Sequence, residues 1–110
     1  MQDLKNAPIG IFDSGIGGLT VAKAVIEALP DEDIIYFGDT ARVPYGIKSK
    51  ETVRSYALEI TRFLLKRGVK MILIACNTVS ASAKEEIIKA AGEIPVLDVI
   101  TAGTKSAVSR

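Results

Sequence analysis

Cysteine occurs once in this sequence, at position 76, with an amide and a hydroxyl directly behind it as Cys76-Asn77-Thr78. The thiol follows an apolar run, Val69-Lys70-Met71-Ile72-Leu73-Ile74-Ala75, and precedes an apolar pattern of helical spacing. A strand that hands over to a helix in this way puts the thiol at the carboxyl edge of a sheet, beside a helix N-terminus. Open α/β sheets present their reactive groups there, so Cys76 is expected to face a cleft. A buried, inert cysteine would account for the thiol, because free cysteine is among the most buried residue types. It would not account for Asn77-Thr78, nor for the polar turns that end the other apolar runs. Those turns are Asp13-Ser14-Gly15-Ile16-Gly17-Gly18, Gly38-Asp39-Thr40 and Asp98. Hydroxyls, amides and glycine N–H groups beside helix N-termini suit a carboxylate or a phosphate.

The phosphate-handling patterns fail in turn. A dinucleotide fingerprint needs a third glycine where Thr20 stands, and Asp13 would repel a pyrophosphate. A Cys-x5-Arg phosphatase loop needs arginine where Ser82 stands, and no Walker sequence is present. The chain has no histidine, so the thiol lacks the usual partner base for acyl transfer. One cysteine without histidine also cannot assemble a zinc-type ligand cluster. What remains is a thiol, one or two carboxylates, and donors suited to a small anionic ligand. A thiolate can itself act as a base, and proton abstraction next to a carboxylate needs one.

The elements that must hold these groups are legible as alternating strands and helices. Residues 8–12, 33–37, 69–75 and 94–99 read as strands, apolar at successive positions as parallel strands covered on both faces are. Leu19, Ala22, Val25, Ile26 and Leu29 recur at helical spacing, and that helix stops before Pro30. In the second helix, Ser49 is the predicted N-cap and Val53, Tyr56, Ala57, Ile60 and Leu64 line one face. Lys66 and Arg67 occupy its last turn, and Gly68 is the predicted left-handed cap. Val79, Ala83, Ile87 and Ala91 form the stripe of the third, which Gly92 ends. This alternation predicts right-handed crossovers and a doubly wound, three-layer α/β domain with a parallel sheet of about four strands. Residues 1–99 make up that domain, and 100–110 read as the start of another helix.

Composition bounds the function. At 110 residues the chain is long enough for one self-standing core. Hydrophobic residues make up 48% and the net charge is +1, so nothing points to nucleic acid or an anionic membrane. A single cysteine fits a reducing compartment. The first eight residues lack the apolar core of a signal peptide, and no apolar stretch approaches the length of a membrane span. A cytoplasmic location is therefore expected.

Three segments together resemble the cofactor-independent aspartate/glutamate racemases. They are residues 10–18, Gly-Ile-Phe-Asp-Ser-Gly-Ile-Gly-Gly; residues 36–46, Tyr-Phe-Gly-Asp-Thr-Ala-Arg-Val-Pro-Tyr-Gly; and residues 75–78, Ala-Cys-Asn-Thr. The likeness covers almost the whole chain in the right order. It implies that Cys76 is one of two catalytic cysteines, that Asp13 takes part in catalysis beside it, and that Asp13 and Ser14, Tyr45 and Gly46, and Asn77 and Thr78 contact the substrate. It further implies interconversion of L- and D-glutamate without cofactor or metal, supplying D-glutamate for bacterial peptidoglycan. The family carries its second cysteine in a Cys-Thr-His segment on a second, similar domain. This sequence has neither that cysteine nor any histidine, so it reads as the first domain with 100–110 as the crossover toward the second. The chain alone is expected to be inactive, and a homodimer is left open. Two alternatives stand beside this reading: a racemase acting on aspartate or a related amino acid, and a non-catalytic domain that binds small anions.

Overall fold

The computed structural model describes residues 6–13, 18–39 and 48–98, with backbone alone for 18–22, 77 and 78. Seven elements alternate along the chain. They are β1 (Ile9–Asp13), α1 (Gly18–Ala28), β2 (Ile34–Gly38), α2 (Lys50–Lys66), β3 (Met71–Ile74), α3 (Asn77–Ala91) and β4 (Val96–Asp98). The four strands are parallel and lie in the order β2-β1-β3-β4. Each strand begins within two residues of its predicted start, and β3 begins at Met71 after a connector closed by the Lys70 N–H to the Pro8 carbonyl. The expected crossover segment 100–110 lies outside the described residues.

Side-chain alternation divides the sheet into two faces. Gly10 and Phe12, with their register partners Ile72 and Ile74, face α2 and α3. Most of the buried core lies on that side, where Val53, Ala57, Ile60 and Leu64 of α2 meet Val79, Ala83 and Ile87 of α3 over the sheet. Gly10 sets how close α2 can come. A Cβ there would meet Val69 Cγ1 at 3.1 Å and Leu64 Cδ1 at 3.2 Å, so the missing side chain lets the helix settle onto the strand. Thr61 is buried in the same stripe because its hydroxyl donates to the Ala57 carbonyl one turn back, at 2.7 Å.

Local chemistry fixes the ends of α2. Ser49 Oγ accepts the Thr52 N–H at 3.1 Å, satisfying one of the amides that the first turn leaves without a helical partner. Beyond Arg67, Gly68 takes φ +76°, the left-handed conformation that ends a helix at least cost for glycine.

The opposite face carries Ile9, Ile11, Met71, Leu73 and Leu97, with α1 lying across part of it. Here the sequence pattern and the structure differ. Ile26 is 50% exposed and Leu29 45%, although helical spacing groups them with Val25. A stripe is buried only where a second surface meets it. Among the described α1 side chains only Val25 is half-buried, and Ala24, Val25, Ala28 and Leu29 line one wall of a 480 Å³ groove whose other wall is the sheet. No helix of the described residues is long and apolar enough to cross a membrane.

Candidate functional site

The strand order fixes where a ligand would go. From β1 the chain moves outward to β2, then returns across β1 to β3 on its other side. The carboxyl ends of β1 and β3 therefore flank the point where the winding reverses, the usual ligand crevice of an open α/β sheet. Asp13 is the last residue of β1, and Cys76 lies two residues past the end of β3. The Ala75 N–H still donates to the Phe12 carbonyl at 2.8 Å, so the thiol emerges just where the β1–β3 ladder stops.

Cys76 is the N-cap of α3, with extended backbone at φ −118° and ψ 123°. Its carbonyl accepts the Ser80 N–H at 3.0 Å, the first bond of the helix, while its side chain makes no capping bond. Asn77 and Thr78 are the first two residues of α3, where backbone N–H groups have no carbonyl partner within the helix. The thiol was expected to open onto a cleft, but it is only 7% exposed and packs among the apolar residues of the α2–α3 core. Strand alternation sends positions 72, 74 and 76 toward that same layer, which covers the side chain while leaving it at the sheet's edge.

Asp13 is also buried, at 0% exposure, rather than projecting freely into solvent. Its Oδ2 accepts a hydrogen bond from the Tyr36 hydroxyl at 2.9 Å, across 23 residues of sequence. The register explains the reach. Asp13 pairs with Gly38 on β2, and Tyr36 stands two residues before Gly38 on the same face. A Cβ on Gly38 would come within 3.0 Å of Tyr36 Cε1 and 3.1 Å of its hydroxyl, so the phenol lies over the space the glycine leaves. Burial, followed by the hydrogen bond to Asp13 and its charge, pushes the Tyr36 phenol up to about 12. Tyr36 is thus a neutral donor across the physiological range. Asp39 extends the ladder by donating its N–H to the Asp13 carbonyl at 3.0 Å.

Asp98 behaves differently from the other strand-end groups. It ends β4 on the α2–α3 face, where Oδ2 accepts from Ser80 Oγ at 2.9 Å and meets Lys84 Nζ at 2.7 Å. Its carboxylate ties the first turns of α3 to the sheet. Ser14, Tyr45 and Gly46 lie outside the described residues, as do the side chains of Asn77 and Thr78. Of the expected site, the structure therefore brings Cys76, Asp13 and the N-terminus of α3 to one edge. It adds Tyr36, which the sequence marks as a strand residue opening the 36–46 segment but to which it gives no site role. Its one signal was a tyrosine two positions before a strand-end glycine, and that identifies a partner only once the β1–β2 register is known. A carboxylate held by a neutral donor, with a thiol at a helix N-terminus beyond the next strand, can bind a small zwitterion and exchange a proton with it.

No protein-family model matches the chain. It is 58% identical over 102 residues to the glutamate racemase of Syntrophus aciditrophicus strain SB, covering 93% of this chain and 37% of that protein. It is 61% identical over 105 residues to that of Chlorobaculum tepidum, covering 96% of this chain and 39% of the relative. The crystal structure of glutamate racemase from Francisella tularensis in complex with D-glutamate superposes with a TM-score of 0.88 at 57% identity, over 93% of this chain and 39% of that one. The chain spans under two-fifths of the length of these relatives. Both the sequence over nearly all of these 110 residues and the fold they form are thus similar to part of the glutamate racemases.

Proposed function

We propose that these residues form one half of a glutamate racemase active site, in which the Cys76 sulfur exchanges a proton with one face of the substrate Cα. One observation carries the reading. The only thiol of the chain stands at a helix N-terminus beside the winding reversal, one strand away from a buried, hydrogen-bonded carboxylate. Likeness to a structure holding D-glutamate supports glutamate as the ligand.

In this mechanism the Cα–H bond breaks as the S–H bond forms, and the electron pair spreads into the substrate α-carboxylate. Amides at the start of α3 favour negative charge there, by about 0.3–1 kcal/mol at an exposed terminus. Asp13 serves the substrate ammonium. Two anions about 4 Å apart repel by about 4 kcal/mol at an effective dielectric of 20, which exceeds what the helix terminus supplies. The ammonium must therefore meet Asp13 before the thiolate forms. Ser14, Tyr45, Gly46, Asn77 and Thr78 complete the contacts to the amino acid. Inversion requires the proton to be delivered opposite to where it was removed. A second acid must then serve the other face, and it comes from outside these 110 residues because they hold one cysteine and no histidine. The reaction needs no cofactor, takes place in the cytoplasm, and supplies D-glutamate for peptidoglycan.

The test uses the full-length racemase carrying this segment, with D-glutamate formation and deuterium uptake at Cα in heavy water as readouts. Cys76→Ser should abolish racemisation of L-glutamate, since a hydroxyl is a far poorer proton acceptor at neutral pH. Near-normal turnover by that variant would overturn the two-thiol mechanism, and preferential turnover of aspartate in a substrate panel would reassign the substrate.

A further inference from the structure

We propose that Tyr36 is a positioning residue for this site: its hydroxyl pins Asp13 Oδ2 and so fixes the plane in which the carboxylate meets the substrate ammonium. The inference rests on the reading of Asp13 given above and extends it to a residue that never touches substrate. Three observations converge. The hydroxyl lies 2.9 Å from Oδ2 of the buried Asp13. Gly38, level with Asp13 in the sheet, leaves the space through which the phenol reaches it, since a Cβ there would stand 3.0 Å from the ring. The phenol's upward shift to about 12 keeps it a protonated donor across the physiological range.

A side chain held on one oxygen loses its freedom to rotate about the terminal torsion, which for a carboxylate is otherwise broad. Pre-setting that torsion removes an ordering cost from binding. The ammonium meets Asp13 both before and during proton transfer, so the benefit is uniform binding, which appears in KM and not in kcat.

The decisive variant is Tyr36→Phe in the full-length racemase, which deletes one oxygen and keeps the ring over Gly38. KM for L-glutamate should rise about tenfold, the scale of a hydrogen bond to a charged group, with kcat changed less than about threefold. Gly38→Ala should reproduce the KM effect with the hydroxyl still present, because its Cβ displaces the ring. In the 110-residue chain, ring-carbon NMR should show the Tyr36 phenol titrating lower in Asp13→Asn than in the parent. An unchanged KM in Tyr36→Phe, or a Tyr36 titration indifferent to Asp13→Asn, overturns the proposal. Asp13→Asn in the full-length racemase separates the two levels. If it retains turnover, the role of Asp13 itself fails; if it is inactive while Tyr36→Phe is unimpaired, only the positioning role fails.

Discussion

At the scale of single residues, the two groups expected to do chemistry are both covered, and that changes how they should react. Cys76 is 7% exposed within an apolar layer, so iodoacetamide should alkylate it more slowly in the native chain than in urea. Saturating L-glutamate should slow native labelling further in the full-length racemase. Native labelling as fast as in urea would show that the thiol is open, contrary to its packing. Tyr36 gives a second expectation. Its phenol titrates near 10 when unfolded and near 12 when folded, so above pH 10 the unfolded chain binds fewer protons than the native one. The stability it contributes is therefore complete below pH 10 and lost as pH rises toward 12. Urea midpoints measured from pH 9 to 12 should fall across that window, less steeply in Tyr36→Phe. Equal slopes in both proteins would mean that Tyr36 carries no such linkage.

At the scale of elements, the ends of α2 were legible because capping is local. Ser49 needed only the Thr52 N–H three residues on, and Gly68 only its own backbone. Gly68→Ala should thus lower unfolding free energy by about 1–2 kcal/mol, since any Cβ at φ +76° crowds the carbonyl. Ser49→Ala should lower it by about 1 kcal/mol. Urea titration checks both, and a neutral Gly68→Ala would contradict the left-handed cap. Strand positions were equally legible, since β1 and β3 are apolar along their lengths. What the sequence could not show depends on register and on helix placement. Tyr36 and Asp13 are 23 residues apart, and only the pairing of Asp13 with Gly38 brings them together. Asp98 looked like another ligand group, but its meeting with Ser80 and Lys84 follows from where α3 crosses β4. The apolar spacing of α1 correctly marked a helix yet could not say which of its residues would find a partner surface.

At the scale of the whole molecule, one thiol reaches one face of a tetrahedral carbon. The purified 110-residue chain should therefore form no D-glutamate from L-glutamate above background, while a full-length racemase carrying it does. Sustained turnover growing with the square of dilute protein concentration would show that two copies supply both thiols and would overturn this expectation. The sheet is also dressed unequally. Its α2–α3 side is sealed, whereas on the α1 side a groove of 480 Å³ runs past Met71, Leu73 and Leu97, with Leu97 46% exposed. Parts of a protein that bury little apolar surface open first, at a cost below that of global unfolding. The two sides should then keep different time in hydrogen exchange. Backbone amides of α1 would trade for deuterium through brief local detachment, while those of α2 wait for the molecule to come apart as a whole. A hydrophobic dye such as anilinonaphthalene sulfonate would find a foothold on the first side long before the second gives way.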